Sequence, residues 1–286
     1  MEKEKQKEVL SIQDIKKFEQ FLYECENAVA TIQKYKTDIC TFYRFLGEKR
    51  AIDKTVLLDY KNWLVSHYAV NSVNSMLAAL NKFLKFLGME CLKVKRIKIQ
   101  LNLFLSEEKE LTKEEYKKLV YTARKEGKEQ LALCMETIAA TGIRVSELKF
   151  FTVDRVKKGR IEVLNKGKYR RIFLPEKIRK KLLIFCKREK ITSGYIFRGK
   201  KGKPKDRSVI WSQMKALKER AGIKGEKIFP HNLRHLFARV YYGRTKDLAG
   251  LADLLGHSSL NVTRVYTINT GKIYQKQLDD MRILQI

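Results

Sequence analysis

The sequence predicts a mainly α-helical protein of two domains, with a small antiparallel β-sheet in the second domain. Three observations predict this fold class. Apolar residues recur at helical spacing throughout residues 11–92. Two short β-like runs lie close together at 161–164 and 171–174, and a basic stretch at 93–110 separates them from the first helices. The 286 residues, 44% of them hydrophobic, are enough to build a buried core.

The first domain, residues 11–92, is predicted to be a compact bundle of four short helices after a flexible segment at 1–10. Ser11 can cap the first helix, because its hydroxyl accepts a hydrogen bond from a free N–H group of the first turn. Gly47 and Gly88 end the second and fourth helices. The four apolar stripes are predicted at residues 12–22, 32–46, 56–67 and 71–87.

The stretch at residues 93–110 is interpreted as a basic interdomain linker. Its first part alternates basic and apolar residues, which fits either an extended linker or an ordinary edge strand, and both interpretations stay open. In the first case its cations are available to bind phosphates, and in the second they only keep a strand solvated. These cations are Lys93, Lys95, Arg96 and Lys98.

The second domain is predicted at residues 111–270. It begins with a capping box, because Thr112 and Glu115 are spaced so that each side chain can accept from the backbone N–H of the other. A helix at 131–140 follows and ends at Gly142, a residue type that stops helices.

The two β-like runs of this domain are separated by residues 165–170, a length that predicts a hairpin. Pro175 ends the second run and starts a helix that continues to Cys186. A third strand is predicted at 194–197. Further helices are predicted at residues 208–221, 231–242, 246–255 and 261–266.

The net charge predicts a polyanionic partner. It is +29, with an isoelectric point of about 9.9, and such a field attracts either nucleic acid or an anionic membrane surface. Residues 1–100 carry 18 Lys and Arg against 12 Asp and Glu, and the rest carries 43 against 20, so the second domain attracts phosphates more strongly. A Lys-rich genome is the alternative explanation of this composition.

Two further features disfavour a membrane or metal partner. No apolar run approaches the roughly 20 residues that a spanning helix requires, and the charged N-terminus lacks the apolar core of a signal peptide. The cysteines are scattered without a C-x-x-C pair, which predicts reduced core thiols in a cytoplasmic protein and no zinc site. They are Cys25, Cys40, Cys91, Cys134 and Cys186.

Two arginines are candidates for binding a phosphodiester. A guanidinium presents paired donors that match the non-bridging oxygens of a phosphate, whose negative charge grows in the pentavalent transition state. Arg144 follows a glycine turn, and Arg234 lies near a helix start after Pro230. Glu147, three residues after Arg144, can orient its guanidinium from the same helix face. Taken alone, however, this pair is more typical of a surface ion pair.

Four more residues can supply the remaining chemistry. His231 and His257 can donate to a phosphate or transfer a proton near neutral pH, although a lone histidine after glycine is more often a helix C-cap. Lys166 can protonate the leaving oxygen, although by itself it is a generic basic hairpin residue. Tyr266 is a candidate nucleophile or else a core aromatic. Because the pKa of a phenol is about 10, a nucleophilic role requires a cationic pocket and a proton acceptor.

The order and spacing of these residues closely resemble the tyrosine recombinase family, which includes phage integrases and Xer-type site-specific recombinases. The resemblance covers nearly the whole chain. The family frame T-G-x-R-x-S-E-L matches residues 141–148, H-x-L-R-H matches 231–235 and L-L-G-H matches 254–257, with the tyrosine nine positions later. By this resemblance the catalytic residues are Arg144, Lys166, His231, Arg234, His257 and Tyr266, with Glu147 in support.

Some positions depart from the family pattern. Asn165 replaces a common glycine, and Arg239 stands where a small hydroxyl residue is frequent. Neither change removes a catalytic group, but the first leaves Lys168 as an alternative to Lys166. The tyrosines whose spacing from the L-L-G-H box does not fit the nucleophile are Tyr241, Tyr242 and Tyr274.

The resemblance implies a two-domain clamp on opposite faces of double-stranded DNA. Tyr266 attacks the scissile phosphate to give a 3′-phosphotyrosyl bond, while the two arginines and His257 stabilise the phosphorane. Lys166 protonates the leaving 5′ oxygen, and His231 assists as acid or base. Because the phosphotyrosine preserves the bond energy, neither a metal nor a nucleotide cofactor is implied. Two rounds of exchange pass through a Holliday junction.

The resemblance also implies assembly. Four protomers join two DNA sites, each with an inverted-repeat core. The tail at residues 271–286 is expected to dock on the next protomer, with packing on its own protomer as the alternative. Its apolar residues are Tyr274, Leu278, Met281 and Leu284.

Two other functions share the residue set. A type IB topoisomerase nicks and reseals one duplex, and an inactive DNA-binding regulator keeps the scaffold but loses a catalytic position, which has not happened here. Base-reading side chains are expected within 71–85 and 208–220, while the target site and any accessory proteins stay open. The composition fits a prokaryotic cytoplasm, with the protein at the nucleoid when bound to DNA, and a mobile element as the source.

Overall fold

The computed structural model divides the chain into two compact units, Met1–Leu101 and Asn102–Ile286, each with its own hydrophobic core. No helix that the structure describes combines the length and the apolar character that crossing a bilayer requires. The residues whose structure is described are 10–48, 51–98, 109–165 and 168–257, with Thr263 and Asp280.

The first unit is a bundle of four helices. They are α1 (Ile12–Glu24), α2 (Val29–Leu46), α3 (Lys54–His67) and α4 (Val70–Phe86). Helix α4 is the centre of the bundle, because it packs against each of the other three and buries seven of its side chains. The predicted cap at Ser11 is confirmed: its hydroxyl accepts from the N–H of Asp14, and the Asp14 carboxylate accepts from the N–H of Ser11.

Two expectations, one for the first helix and one for the cysteines of the whole chain, are wrong in part. Ile12 is 56% exposed although Ile15, Phe18 and Leu22 of the same helix are buried. Ile12 is the first helical residue, and side chains tilt toward the N-terminus, so it extends past the end of the packed stripe. Among the cysteines, Cys134 and Cys186 are buried as predicted, but Cys25 and Cys91 are exposed and Cys40 is half-buried.

Residues 93–98, the start of the predicted linker, lie along α4 and form a segment that we call the strap. Asn81 accepts from the N–H of Val94 at 2.8 Å and donates to its carbonyl at 2.9 Å. Asn74, seven residues earlier on the same face of α4, makes the same pair of bonds with Ile97. The asparagines therefore replace the partner strand that this extended segment lacks.

The second unit is built around a buried helix. Its helices are α5 (Lys113–Lys125), α6 (Glu129–Thr141), α7 (Val153–Lys157), α8 (Glu176–Arg188), α9 (Arg207–Lys215), α10 (Lys218–Ala221), α11 (Pro230–Thr245) and α12 (Leu248–Leu255). Helix α6 buries eight side chains and packs against α5, α8, α9 and α11. The predicted capping box of Thr112 and Glu115 is confirmed at the start of α5.

The predicted hairpin is confirmed. Strands β1 (Arg160–Asn165) and β2 (Lys168–Phe173) pair antiparallel, with Asn165 opposite Lys168. Lys166 and Gly167, which stand between these two paired residues in the sequence, lie outside the described residues.

The predicted third strand at residues 194–197 is wrong. In the described part of the chain the segment forms a single bridge, between Thr152 and Tyr195, and the sheet has two strands. Ile196 and Phe197 are both buried, so neighbouring side chains enter the core instead of alternating between core and solvent as they do in a strand with one solvated face.

Two helix boundaries also differ from the predictions. The predicted helix at 208–221 is interrupted at Ala216–Leu217, which separates α9 from α10. The predicted helix at 246–255 begins later, because Lys246 adopts a left-handed conformation that ends α11 and Asp247 caps α12. The predicted helix at 261–266 lies outside the described residues apart from Thr263.

Candidate active site

Arg144 is placed by a sharp end to helix α6. Gly142 follows the helix in the left-handed conformation, with φ of 65°. A Cβ atom there would lie 2.4 Å from the ring of Phe237, so the tight packing also requires glycine. Arg144 then stands in extended conformation before a 3-10 turn, Val145–Phe150, and 37% of its side chain is exposed. A partly exposed guanidinium at this position can reach a bound phosphate.

Glu147 contacts Arg144 twice and is itself buried. One carboxylate oxygen accepts from the backbone N–H of Arg144 at 2.9 Å, and the other lies 3.4 Å from its guanidinium. Only 2% of the Glu147 side chain is exposed. A carboxylate so deeply buried requires cationic or hydrogen-bonding partners, so this pair differs from an ordinary surface ion pair.

The second cation on Glu147 is Arg170, a residue that the sequence analysis missed. Its guanidinium donates to the carboxylate at 2.5 Å and to the carbonyl of Leu254 at 2.6 Å. The one available signal was its place on strand β2: Arg170 stands two residues before the buried Ile172, on the face that points into the core. An arginine on that face of a predicted strand is unusual.

Arg234 holds the site together from the first turns of α11. Its side chain is 1% exposed. One terminal nitrogen donates to the carbonyl of Gly142 at 2.7 Å, and the other lies 2.9 Å from the carbonyl of Leu255 and 2.8 Å from Nε2 of His257. This guanidinium therefore contacts both the turn that leads to Arg144 and the segment that carries His257.

His257 is neutral in this arrangement. A guanidinium can only donate, so Nε2 of His257 accepts from Arg234 and the proton is on Nδ1, which lies 2.8 Å from the hydroxyl of Thr263. Burial lowers the pKa of His257 to about 4, and the charges of Arg234, Arg144 and Arg170 and of His231 act in the same direction.

His231 lies on the same helix as Arg234, one position after Pro230. Burial lowers its pKa, with smaller contributions from Arg234 and Arg144. Its ring is 4.7 Å, centre to centre, from that of His235, whose pKa burial lowers to about 4. We call Arg144, Arg170 and Arg234 the arginine cluster: three guanidiniums accompanied by neutral histidines and one buried carboxylate, an arrangement suited to an anion.

The structure thus brings together Arg144, Glu147, Arg234 and His257, with His231 on the helix of Arg234. Lys166 and Tyr266 lie outside the described residues, and the side chain of the alternative Lys168 is not described either. Tyr241 and Tyr242, two tyrosines whose spacing does not fit the nucleophile, lie on α11 and pack against the small core of Ala238, Leu251 and Leu255.

The remaining predicted site residues belong to the first unit. Lys93, Lys95, Arg96 and Lys98 are exposed on the strap. Lys93 lies 3.2 Å from Glu90, and the strap leaves all four side chains at the surface. Within the described ranges no group of three or more His, Cys, Asp or Glu side chains is arranged to hold a metal ion.

Comparisons with known families match both parts of the chain. Residues 109–272 match the phage integrase family, and residues 15–90 match the N-terminal SAM-like domain of phage integrases. The tyrosine recombinase XerA of Pyrococcus furiosus is 31% identical over 227 residues, covering 76% of this chain and 77% of the relative. The tyrosine recombinase XerD of Vibrio cholerae is 27% identical and covers 87% and 90%.

Solved structures share the fold at low identity. XerH recombinase, in a post-cleavage complex with a palindromic difH substrate, superposes with a TM-score of 0.69 at 22% identity, covering 94% of this chain and 84% of that one. A lambda integrase tetramer bound to a Holliday junction gives a TM-score of 0.71 at 20% identity, covering 89% and 76%.

Proposed function

The chain belongs to the phage integrase family of tyrosine recombinases, as its motifs predicted, and we propose that it is a site-specific DNA recombinase. The observation that carries the proposal is the set of contacts made by Arg234, which unites the turn before Arg144 with the segment of His257. These groups lie apart in sequence and meet around one cationic site, as a phosphodiester requires.

In the proposed reaction Tyr266 attacks the scissile phosphate and displaces the 5′ oxygen, leaving a 3′-phosphotyrosyl bond. Arg144 and Arg234 stabilise the charge that develops on the non-bridging oxygens. Lys166 protonates the departing oxygen, and neutral His231 can accept the phenolic proton. A free 5′-hydroxyl from the second DNA end then attacks the phosphotyrosine, so the bond is remade and Tyr266 is released.

The proposed role of His257, donation to the bound phosphate, depends on its protonation state. In the free protein its Nε2 accepts from Arg234. A bound phosphate adds negative charge next to the imidazole and raises its pKa. His257 then takes up a proton and can donate to the phosphate, so DNA binding itself completes the site.

Trapping the covalent intermediate tests the proposal. Nicked duplexes from the DNA flanking the gene lose the short 5′-hydroxyl fragment after cleavage, so the adduct accumulates and is seen as a slower band under denaturing conditions. The wild-type chain and a Tyr242→Phe control are expected to form the adduct, and Tyr266→Phe is not. An adduct formed by Tyr266→Phe would overturn the assignment of the nucleophile.

The outcome of strand exchange separates a recombinase from a topoisomerase. A recombinase joins strands of two DNA sites and gives recombinant products, whereas a type IB topoisomerase only relaxes supercoiled DNA without site preference. The kinship with Xer recombinases favours the first outcome. Relaxation of plasmids that lack any site, with no recombinant product, would contradict the proposal.

The proposed substrate is double-stranded DNA with an inverted-repeat core site, bound in the prokaryotic cytoplasm at the nucleoid. The net charge of +29 supports a polyanionic partner. The cations exposed on the strap are proposed to contact the phosphate backbone. Because such contacts release counterions, the logarithm of the binding constant should fall linearly with the logarithm of the salt concentration, by roughly 0.9 for each contacted phosphate per tenfold rise in salt.

Four protomers are proposed to assemble on two sites through the tail at residues 271–286. An apolar groove of about 520 Å³ in the second unit supports this proposal. It lies between α5, α6 and α11, and its apolar lining includes Ala140, Phe237 and Val240. Its lining also includes the basic residues Lys113, Lys117 and Arg244. The apolar residues of the tail match the apolar lining, and Asp279 and Asp280 are the tail residues that can pair with these cations.

Deleting residues 271–286 tests the assembly. Loss of the tetramer on DNA, with single-site cleavage retained, is the expected result, measured by light scattering of the complexes. An intact tetramer would contradict the role of the tail, and monomers that lose cleavage as well would indicate that the tail packs on its own protomer.

A further inference from the structure

We propose that Arg170 is a positioning residue for DNA cleavage: it ties the carboxylate of Glu147 to the backbone that leads into His257. This inference rests on the recombinase function proposed above. Arg170 lies outside the motifs that carry the family resemblance, and the inference is based on its contacts alone.

The contacts of Arg170 join three separate parts of the second unit. The residue belongs to strand β2 of the hairpin. Its guanidinium lies 2.5 Å from the carboxylate of Glu147, in the 3-10 turn after α6, and 2.6 Å from the carbonyl of Leu254, in the last turn of α12. One side chain thus holds the hairpin, the turn of Arg144 and the end of α12 at fixed separations.

The fit against α12 is close enough to constrain the residue before His257. Gly256 has φ of 64°, and a Cβ atom there would lie 2.4 Å from Cδ of Arg170. The aliphatic part of Arg170 therefore occupies the space that any other residue at position 256 would need. Because Gly256 immediately precedes His257, a displacement of Arg170 would also displace His257, whose imidazole accepts a hydrogen bond from Arg234.

Burial argues that this arrangement serves the site more than the stability of the fold. Only 11% of the Arg170 side chain is exposed, and the lost hydration lowers the pKa of its guanidinium. A buried ion pair contributes little net stability compared with apolar groups of similar size. The contribution of this ion pair is to orient the side chains. Glu147 accepts from Arg170 and Arg144 at once, so the position of one guanidinium fixes the position of the other.

The neighbouring residue provides a matched control. Arg171 also forms an ion pair across the hairpin, with Glu162 at 3.5 Å, but both side chains are more than half exposed. The variants Arg170→Met and Arg171→Met remove the same charge from adjacent positions on opposite faces of β2. A difference between them reports the contacts of Arg170 and not the loss of a positive charge.

The test measures the rate of adduct formation on the nicked duplex that wild-type protein cleaves, at saturating DNA and per folded molecule. We expect Arg170→Met to react about 100-fold more slowly, since a displacement of about 1 Å in a reacting group has effects of that size, with unchanged DNA affinity. Arg171→Met is expected to react at the wild-type rate. A wild-type rate for folded Arg170→Met would overturn the inference.

A second measurement does not depend on cleavage. In the described part of the chain, the titratable or charged groups that face the His257 imidazole are Arg234, Arg144, Arg170 and His231, and each adds to the lowering of its pKa that burial causes. Replacing Arg170 by methionine keeps the site buried but removes one charge, so an NMR titration should show the pKa of His257 rising in Arg170→Met and not in Arg171→Met. An unchanged pKa would place the guanidinium away from His257 and would also overturn the inference.

The two measurements separate failure of this inference from failure of the proposed function. If wild-type protein formed no adduct on any duplex, the recombinase proposal would fail, and the titration would still decide whether Arg170 lies against His257. If wild-type protein reacted and Arg170→Met reacted equally well, only the role of Arg170 would fail.

Discussion

The two units of this chain bury different chemistry. In the first unit the largest fully buried side chains are aromatic or aliphatic, such as Phe18, Phe42 and Phe83, whereas in the second unit the largest is the arginine Arg234. The same unit buries the carboxylate of Glu147, which pairs with Arg144 and Arg170. Burying an ion costs free energy that apolar packing does not. Among the described residues the first unit buries one charged side chain, Asp38, which pairs with Lys34, so the second unit, with both Glu147 and Arg234 buried, carries the larger cost.

The difference shows where the fold is organised for stability and where for a reaction. Rings in the first unit contact one another at ordinary packing distances, with Phe18 and Phe83 at 5.0 Å between centres, and such contacts stabilise the fold wherever they occur. The arginine cluster gathers like charges close together, which is unfavourable until an anion arrives. A site that is electrostatically incomplete in the free protein is prepared for a phosphate.

Replacing Arg234 is expected to have the largest effect. Arg234→Met removes the donors that contact Gly142 and Leu255 and leaves their carbonyls without these bonds. Loss of one donor to a developing oxyanion slows a reaction by about 100- to 1000-fold, and we expect at least that loss in adduct formation at saturating DNA. The measurement is the rate of covalent adduct formation per folded molecule.

The comparator for Arg234 is a core residue of the first unit. Phe83→Ala is expected to lower the free energy of unfolding by about 3–5 kcal/mol, as large-to-small changes at buried aromatic positions do, while the folded fraction cleaves at the wild-type rate. If Phe83→Ala slowed the folded enzyme as much as Arg234→Met, the division between a stabilising unit and a reactive unit would be wrong.

Acidification is expected to weaken the second unit selectively. The pKa of both His235 and His257 is lowered to about 4, and that of His231 is lowered too. In the unfolded chain these groups titrate near 6.5. Between about pH 6.5 and pH 4 the unfolded state therefore binds more protons than the folded state, so stability falls as the pH falls through this window.

Two tryptophans allow each unit to be followed in the full chain. Trp63 lies on α3 of the first unit and Trp211 on α9 of the second. In Trp63→Phe protein, fluorescence from Trp211 should show a lower urea midpoint at pH 5 than at pH 7. In Trp211→Phe protein, the Trp63 signal should change less. Equal shifts in both variants would show that the buried histidines do not set the pH response.

The sequence predicted the first unit from periodicity and the second largely from motifs, and the two methods failed in different places. Helical spacing identified Phe18 and Leu22 as core because a packed helix repeats every 3.6 residues. It could not show that Ile12 projects past the end of the bundle, since exposure at a helix end depends on the neighbouring chain.

In the second unit the motifs led to Arg144, Glu147, Arg234 and His257, which the structure places together. They did not lead to Arg170, because its importance comes from partners 23 and 84 positions away in the chain. The alternation of residues 93–98 could not reveal the strap either. The asparagines that hold it lie on α4, and helical periodicity identifies only the apolar residues of that helix, not the polar partners of a neighbouring segment.

The smallest of the expected effects tests whether the polar groups of the first unit are structural. Asn81→Ala removes both bonds to Val94, a residue that is 3% exposed, and leaves its buried N–H and carbonyl unsatisfied. Unsatisfied buried groups cost about 1–3 kcal/mol, so we expect a loss of that order in the free energy of unfolding, followed by Trp63 fluorescence in urea.

Asn71→Ala is the control, because Asn71 is exposed on the same helix and should change stability by less than about 0.5 kcal/mol. Equal stability of the two variants would mean that α4 does not hold the strap. A loss confined to Asn81→Ala, with the rate of cleavage by the folded protein unchanged at saturating DNA, would show that buried polar groups of the first unit serve the fold, whereas those of the second serve the reaction.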